Sequence, residues 1–337
     1  MKDTVCFDDV LLLPQYSDIE TRDDVDLSVE IPKVGVLKVP IISSPMDTIT
    51  GTDMAIEISR LGGLGIVHRY NSPHKQFEMV KEIVASGAIC GAAVGVTDDY
   101  VARAGALVGY GVKVICIDVA HGHHVRVKKA LLQLRQVLGS KVHIMAGNVA
   151  TRVAVEDLAD WGADSIRIGI GGGSICSTRI QTGHGMPTLE SVLECATADC
   201  SALLIADGGI RNSGDIVKAL AAGADCVMLG SMLAGTMETP GPIIEDGKGN
   251  ELKAYRGMAS VEAQYAWRGR ANSIEGVATT IPIKGPVADV FASIVTGVRS
   301  GLSYTGARSI KHFQARAKFI GQSSNGAVES STHVHRL

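Results

Sequence analysis

The sequence predicts a (β/α)8 TIM barrel, an α/β fold built as a single domain over residues 1–337. Three observations predict it. Short β-branched apolar runs recur eight times, helix-length amphipathic stretches separate them, and polar or glycine residues follow nearly every run. A doubly wound open sheet shares the alternation. The count of eight and the polar strand ends favour closure instead.

In order, the runs lie at residues 39–43, 64–67, 89–94, 114–118, 142–146, 164–168, 203–206 and 226–229. They are short and rich in Val and Ile, as parallel strands covered on both faces must be. Stretches such as 124–138, 153–161 and 213–222 carry apolar residues at helical spacing. The run ends collect Ser44-Pro45-Met46-Asp47, His68-Arg69, Gly95, Asp118 with His121 and His123, Gly147-Asn148, Asp207-Gly208-Gly209 and Gly230-Ser231. A barrel makes that rim its active site, and the last two turns suit a phosphate. Residues 255–285 break the alternation with four glycines, Trp267, Arg268 and Arg270. They read as a mobile flap, about 257–285, over the barrel mouth. Residues 323–337 are polar and aperiodic. They read as an extended C-terminal tail, either disordered or pinned against a neighbouring subunit.

Bulk properties exclude several classes. A net charge of −3 gives no general pull toward nucleic acid or an acidic membrane surface. The first residues lack an apolar signal core, and no 18-residue apolar span follows. The seven cysteines (6, 90, 116, 176, 195, 200 and 226) show no CxxC pairing. A scattered, odd set fits reduced thiols and a cytoplasmic protein. His121 and His123 lack an acidic partner at fixed spacing, which is weak ground for a metal site.

One cysteine stands apart. Gly169-Ile170-Gly171-Gly172-Gly173-Ser174-Ile175-Cys176-Ser177-Thr178-Arg179 follows the sixth run. Glycines let backbone N–H groups approach a phosphate or an ion closely. A thiol in such a loop, two residues before a hydroxyl and three before an arginine, suits a nucleophile attacking a phosphate-anchored substrate. The plainer reading is a turn with a buried cysteine.

Several stretches, in order, give the chain a family likeness: Phe7-Asp8-Asp9-Val10-Leu11-Leu12, Ser43-Ser44-Pro45-Met46-Asp47-Thr48, Asp118-Val119-Ala120-His121-Gly122-His123, Gly147-Asn148-Val149-Ala150-Thr151, the Cys176 loop, Ala206-Asp207-Gly208-Gly209-Ile210-Arg211 and Tyr255-Arg256-Gly257-Met258. The chain resembles the IMP dehydrogenase/GMP reductase family. The resemblance implies a barrel assembled as a homotetramer that acts on a small-molecule purine nucleotide, with neither nucleic acid nor membrane as partner. Cys176 would attack purine C2 to form a covalent adduct, with Thr178 and Glu275 handling protons. Ser44, Ser174, Gly209, Gly230, Ser231 and Tyr255 would hold the phosphate, and Asp207 the ribose. Met46, Gly257 and Met258 would line the base site, Met258 and Ala259 touching the base through backbone groups. Asp118, Asn148 and Arg179 would lie on the nicotinamide side. Carbonyls of Gly171, Gly173 and Cys176 would offer a site to a monovalent cation such as K+. Plainer roles stand beside these: a helix cap for Asp118, packing for the methionines, a surface charge for Arg179. Dehydrogenases of the family commonly insert regulatory CBS modules after the second or third barrel unit. The runs here continue at normal spacing from residue 67 to 89, leaving no room for them.

Two reactions share this scaffold: IMP oxidation with NAD to XMP, and NADPH-driven reductive deamination of GMP to IMP and ammonia. The dehydrogenases resembling this chain carry a water-activating Arg-Tyr pair in a long flap. Here Met258 and Glu275 are 17 positions apart, with no Arg-Tyr dipeptide between them. The stretch 206–240, the Arg256-Gly257-Met258 triplet and the tail 329–335 resemble dehydrogenases instead. Asn272 and Ile274 stand where reductases usually carry an arginine and a serine. GMP reduction is the expected reaction, IMP oxidation its alternative, and non-catalytic purine-nucleotide binding a third reading, disfavoured by the retained Cys176, Thr178 and Glu275.

Overall fold

In the computed structural model, which describes residues 3–330, the eight runs become β1 (Ile41–Ser43), β2 (Leu64–Val67), β3 (Cys90–Val94), β4 (Val114–Asp118), β5 (His143–Val149), β6 (Ser165–Ile168), β7 (Leu203–Asp207) and β8 (Cys226–Leu229). All pair in parallel in chain order, and β8 pairs with β1 through Val227–Ile41 and Leu229–Ser43. That last ladder closes the barrel and disposes of the open sheet. Ile42, Leu64, Ile66, Val114, Met145, Ile205 and Met228 fill its interior. Alternate residues such as Ile41, Ile115 and Ile144 point outward into the layer under the helices.

Several helices begin one residue after a capping side chain. Thr151 caps Arg152–Asp160, Asn212 caps Ser213–Ala221, and the His124 ring caps Val125–Leu138. Each side chain accepts an N–H that the first turn leaves unpaired. β5 runs three residues beyond the apolar run, with a register shift between Gly147 and Val149. A Cβ at Gly147 would lie 2.5 Å from that of Arg167, so only glycine passes there.

The segment over the mouth is built from regular structure. β9 (Ile244–Glu245), β10 (Glu251–Arg256) and β11 (Ala278–Pro282) form a small antiparallel sheet. Between β10 and β11 the helix Val261–Arg268 starts at the Ser260 cap and stops at Gly269. The tail expectation needs a correction. Strand Phe319–Gly321 pairs with Val10–Leu12, and helix Ser324–Glu329 follows, capped by Ser323. Gln322 anchors this junction by donating to the carbonyls of Asp8 and Asp9. The remaining tail, residues 331–337, lies outside the described residues. No described helix is long and apolar enough to cross a membrane.

Candidate active site

The strand ends enclose a cavity of about 470 Å³. Cys176 sits in its wall on the loop that leaves β6. Gly169 starts that loop, and a Cβ there would fall 2.0 Å from the Asp207 carbonyl oxygen at the end of β7. The loop can therefore lie against β7 only because residue 169 is glycine.

The thiol heads a short relay. Cys176 Sγ lies 3.2 Å from Thr178 Oγ1, and the Thr178 hydroxyl donates to Glu275 Oε2 at 2.8 Å. Glu275 comes from the far side of the flap, 97 residues away in sequence. Its place is set by backbone bonding: Ser177 N–H donates to Glu275 O at 3.1 Å and Val277 N–H to Ile175 O at 3.0 Å. These bonds pair the cysteine loop with the returning flap as a two-strand bridge. A thiol proton thus has a path through a hydroxyl to a carboxylate.

At one end of the cavity, Ser44, Ser174, Gly209, Gly230, Ser231 and Tyr255 stand together. Ser174 Oγ and Tyr255 Oη are 3.1 Å apart. Burial pushes the Tyr255 phenol above its ordinary value, so it stays a donor at neutral pH. Hydroxyls and glycine turns of this kind accept a phosphate.

Acids and arginines crowd another stretch of the wall. Arg167 on β6, only 6% exposed in its side chain, bonds Asp118 at 2.7 Å and Asp207 at 2.8 Å. Arg69 reaches Asp118 at 3.4 Å, and Asn148 Nδ2 donates to Asp207 Oδ2 at 2.8 Å. Burial works against the Asp118 charge, but Arg167 and then Arg69 outweigh it and hold the carboxyl below its ordinary value. All bonds to Asp207 fall on Oδ2, leaving Oδ1 for a ligand. Above Arg69, the Tyr70 and Trp267 rings stack at 4.2 Å between centroids, tying the flap helix to the loop after β2.

Most expected residues meet here. Ser44, Met46, Asp118, Asn148, Gly171, Gly173, Ser174, Cys176, Thr178, Asp207, Gly209, Gly230, Ser231, Tyr255, Gly257, Met258 and Glu275 all line the one cavity. Arg179 is the correction. One residue past Thr178 is about 100° further round the helix, and Arg179 faces away, donating to Met186 O at 2.7 Å. It lines a separate cavity behind the glycine loop, with Cys6 and Arg211. His123, taken as lacking an acid, bonds Asp157 at 2.7 Å. Arg167, Arg69 and Tyr70 went unassigned. Arg167 had a signal: it is a charge inside an apolar strand, which must find partners when buried.

The match to the IMP dehydrogenase/GMP reductase domain model runs over residues 4–333, nearly the whole chain. The chain belongs to this family. The IMP dehydrogenase/GMP reductase family uses NAD(P)(H), and its members are oxidoreductases. The chain is 30% identical to inosine-5'-monophosphate dehydrogenase of Nitrosopumilus maritimus, covering 98% of each protein. It is 32% identical to GMP reductase of Leishmania major, covering 97% of this chain and 96% of that one. Both alignments exceed 460 positions against 337 residues here, so these relatives carry segments without a counterpart in this chain. Among solved structures, a cysteine-to-alanine variant of GMP reductase from Trypanosoma brucei, in complex with guanosine 5'-monophosphate, superposes with a TM-score of 0.94. It is 29% identical over 99% of this chain and 98% of that one.

Within this family member the relay makes a sharp prediction. Thr178→Ala and Glu275→Gln should each slow turnover by about 10²-fold. The double variant should be little slower than the worse single one, because the two groups act in series. Additive losses in a steady-state assay would break the relay apart.

Proposed function

We propose that this protein reduces GMP to IMP and ammonia with NADPH, through a covalent adduct at Cys176. The observation that carries the reading is the Cys176–Thr178–Glu275 relay closed by the flap. GMP is held by its phosphate among Ser44, Ser174, Gly209, Gly230, Ser231 and Tyr255, and by its ribose hydroxyls on the Asp207 Oδ1 left unpaired by Arg167 and Asn148. Met46 and Met258 flank the base. Cys176 sulfur adds to purine C2, and its proton passes through Thr178 to Glu275. The pair then returns protons to the 2-amino nitrogen, which leaves as ammonia. When bound, the reduced nicotinamide supplies a hydride to C2. The carbon–sulfur bond then breaks, IMP departs, and the thiolate takes up a proton from solvent to restore the thiol.

Asp118 and Asn148, with the flat Tyr70–Trp267 stack, fit an amide-bearing aromatic ring on the acidic wall. Arg179 takes no part there. A monovalent cation such as K+ would draw on the carbonyls of Gly171, Gly173 and Cys176 in the glycine loop, the Gly173 oxygen keeping a second lone pair beside the Cys176 N–H it accepts. No step runs through K+. The rest of the reading is a single catalytic domain without a CBS insert, assembled as a homotetramer in the cytoplasm.

Ammonia release needs no base beyond Thr178 and Glu275, whereas hydrolysis of an XMP adduct needs one at the flap. IMP oxidation with NAD stays a second reading because Arg268 lines the cavity, where it stacks on Trp267 and donates to Gln264. Following the absorbance of the reduced nicotinamide separates the two. GMP with NADPH should be consumed, at a rate well above NADH formation from IMP with NAD. Faster XMP formation would replace the first reading by the second and make Arg268 the candidate base.

A further inference from the structure

Met46 and Met258 line the cavity from segments far apart in sequence. Met46 follows β1, Met258 follows β10, and no shared element fixes one against the other. The residues beside them do. Arg256, just before Gly257-Met258, bonds Asp47, just after Met46, through Nη2 at 2.5 Å and Nε at 3.0 Å. Asp47 N–H also points at the Met258 sulfur at 3.3 Å, and Arg256 N–H donates to Thr48 Oγ1 at 3.3 Å. Neither Asp47 nor Arg256 lines the cavity.

The geometry of the pair is unusual for one that serves only stability. Arginine and carboxylate commonly meet as a fork, one N–H on each oxygen. Here both N–H groups end on Asp47 Oδ2, and Oδ1 is buried with no hydrogen-bond partner. His68, also buried, faces this carboxylate. Its Nδ1 has no partner either, and burial drives the imidazole down to about 4, so it stays neutral and leaves Arg256 as the cation paired with Asp47. The side chain of Asp47 is 9% exposed, so salt screens the pair little. What this arrangement fixes is the distance between the two methionine segments.

We infer that Asp47 and Arg256 are positioning residues that clamp the wall against which the purine base rests. The inference rests on the purine-nucleotide reading above and assigns the pair to recognition of the base, not of the phosphate or ribose. Losing the clamp lets the methionine segments part. The base then loses its wall, while Ser174 and the turns after β7 and β8 still hold the phosphate.

The test is a comparison of ligands on the full chain by calorimetry. GMP and IMP carry the base, and ribose 5-phosphate carries everything else. Asp47→Asn keeps the shape and removes the charge. It should weaken GMP and IMP by about 10-fold and ribose 5-phosphate far less, with KM for GMP rising more than kcat falls. Arg256→Lys, which keeps the charge but not the paired N–H donors on Oδ2, should lie between that variant and the wild type. The double variant Asp47→Asn/Arg256→Met should be no worse than Asp47→Asn alone. Equal weakening of all three ligands, or of none, overturns the clamp. If Asp47→Asn does not fold, Arg256→Lys decides on the same ligand comparison. Failure of the functional reading shows differently: the wild type would then bind the nucleotides without consuming NADPH.

Discussion

Cys176→Ala should abolish turnover, by on the order of 10⁴-fold or more, while GMP binds about as tightly as before. The relay explains the first half. Without the sulfur no adduct forms, and Thr178 and Glu275 have no thiol proton to carry. The loop explains the second half. Its shape comes from backbone: Cys176 N–H donates to Gly173 O, and its neighbours on both sides bond the flap. Alanine keeps the Cβ and these backbone bonds and removes only the sulfur. Apart from Ser174, the phosphate and ribose contacts lie on other loops. Calorimetry with GMP and an NADPH-consumption assay check the two halves separately. Turnover within 10-fold of the wild type would remove the covalent step, since that is only about 1.4 kcal/mol of barrier. Lost GMP binding would mean the loop collapses without the thiol.

The barrel was legible because its strands are buried on both faces. Eight β-branched runs separated by helical spacing leave few other solutions, and Ile41–Ser43 to Cys226–Leu229 fall within those runs or a few residues of them. The residues at strand ends were legible for the same reason, since a barrel puts all its strand ends on one rim. Three things were not. Arg179 neighbours Thr178 in sequence but sits on the other side of a five-residue helix, a phase no motif records. The flap helix Val261–Arg268 is short and flanked by glycines, which hid its period within a segment that read as irregular. The charge network under the cavity is non-local: Arg167 lies 49 residues from Asp118 and 40 from Asp207, and only the lateral pairing of β4 through β7 brings them together.

That network carries the largest expected effect on stability. Arg167→Met keeps length and flexibility but removes the one cation that bridges two buried carboxylates. Asp118 would keep Arg69 at 3.4 Å, and Asp207 would keep only the Asn148 amide. Breaking a buried pair from one side leaves uncompensated charge, at a cost of about 3–5 kcal/mol. Urea unfolding at neutral pH should show that loss. Arg167→Lys should recover only part of it, because an ammonium cannot fork between two acids as a guanidinium does. The pH dependence has a defined sign. Asp118 is held below the ordinary carboxylate value of 3.8, so its contribution is present above that value and is lost as pH falls through the lower folded one. The gap between wild type and Arg167→Met should therefore be full at neutral pH. It should narrow in acid, where the stranded Asp118 of the variant takes up a proton that the paired one refuses. Activity should fall with stability, since Asp207 then loses the bonds that fix its free oxygen at the ribose. A variant within about 1 kcal/mol of the wild type, the scale of an exposed ion pair, would show that the network is far better solvated than its burial implies.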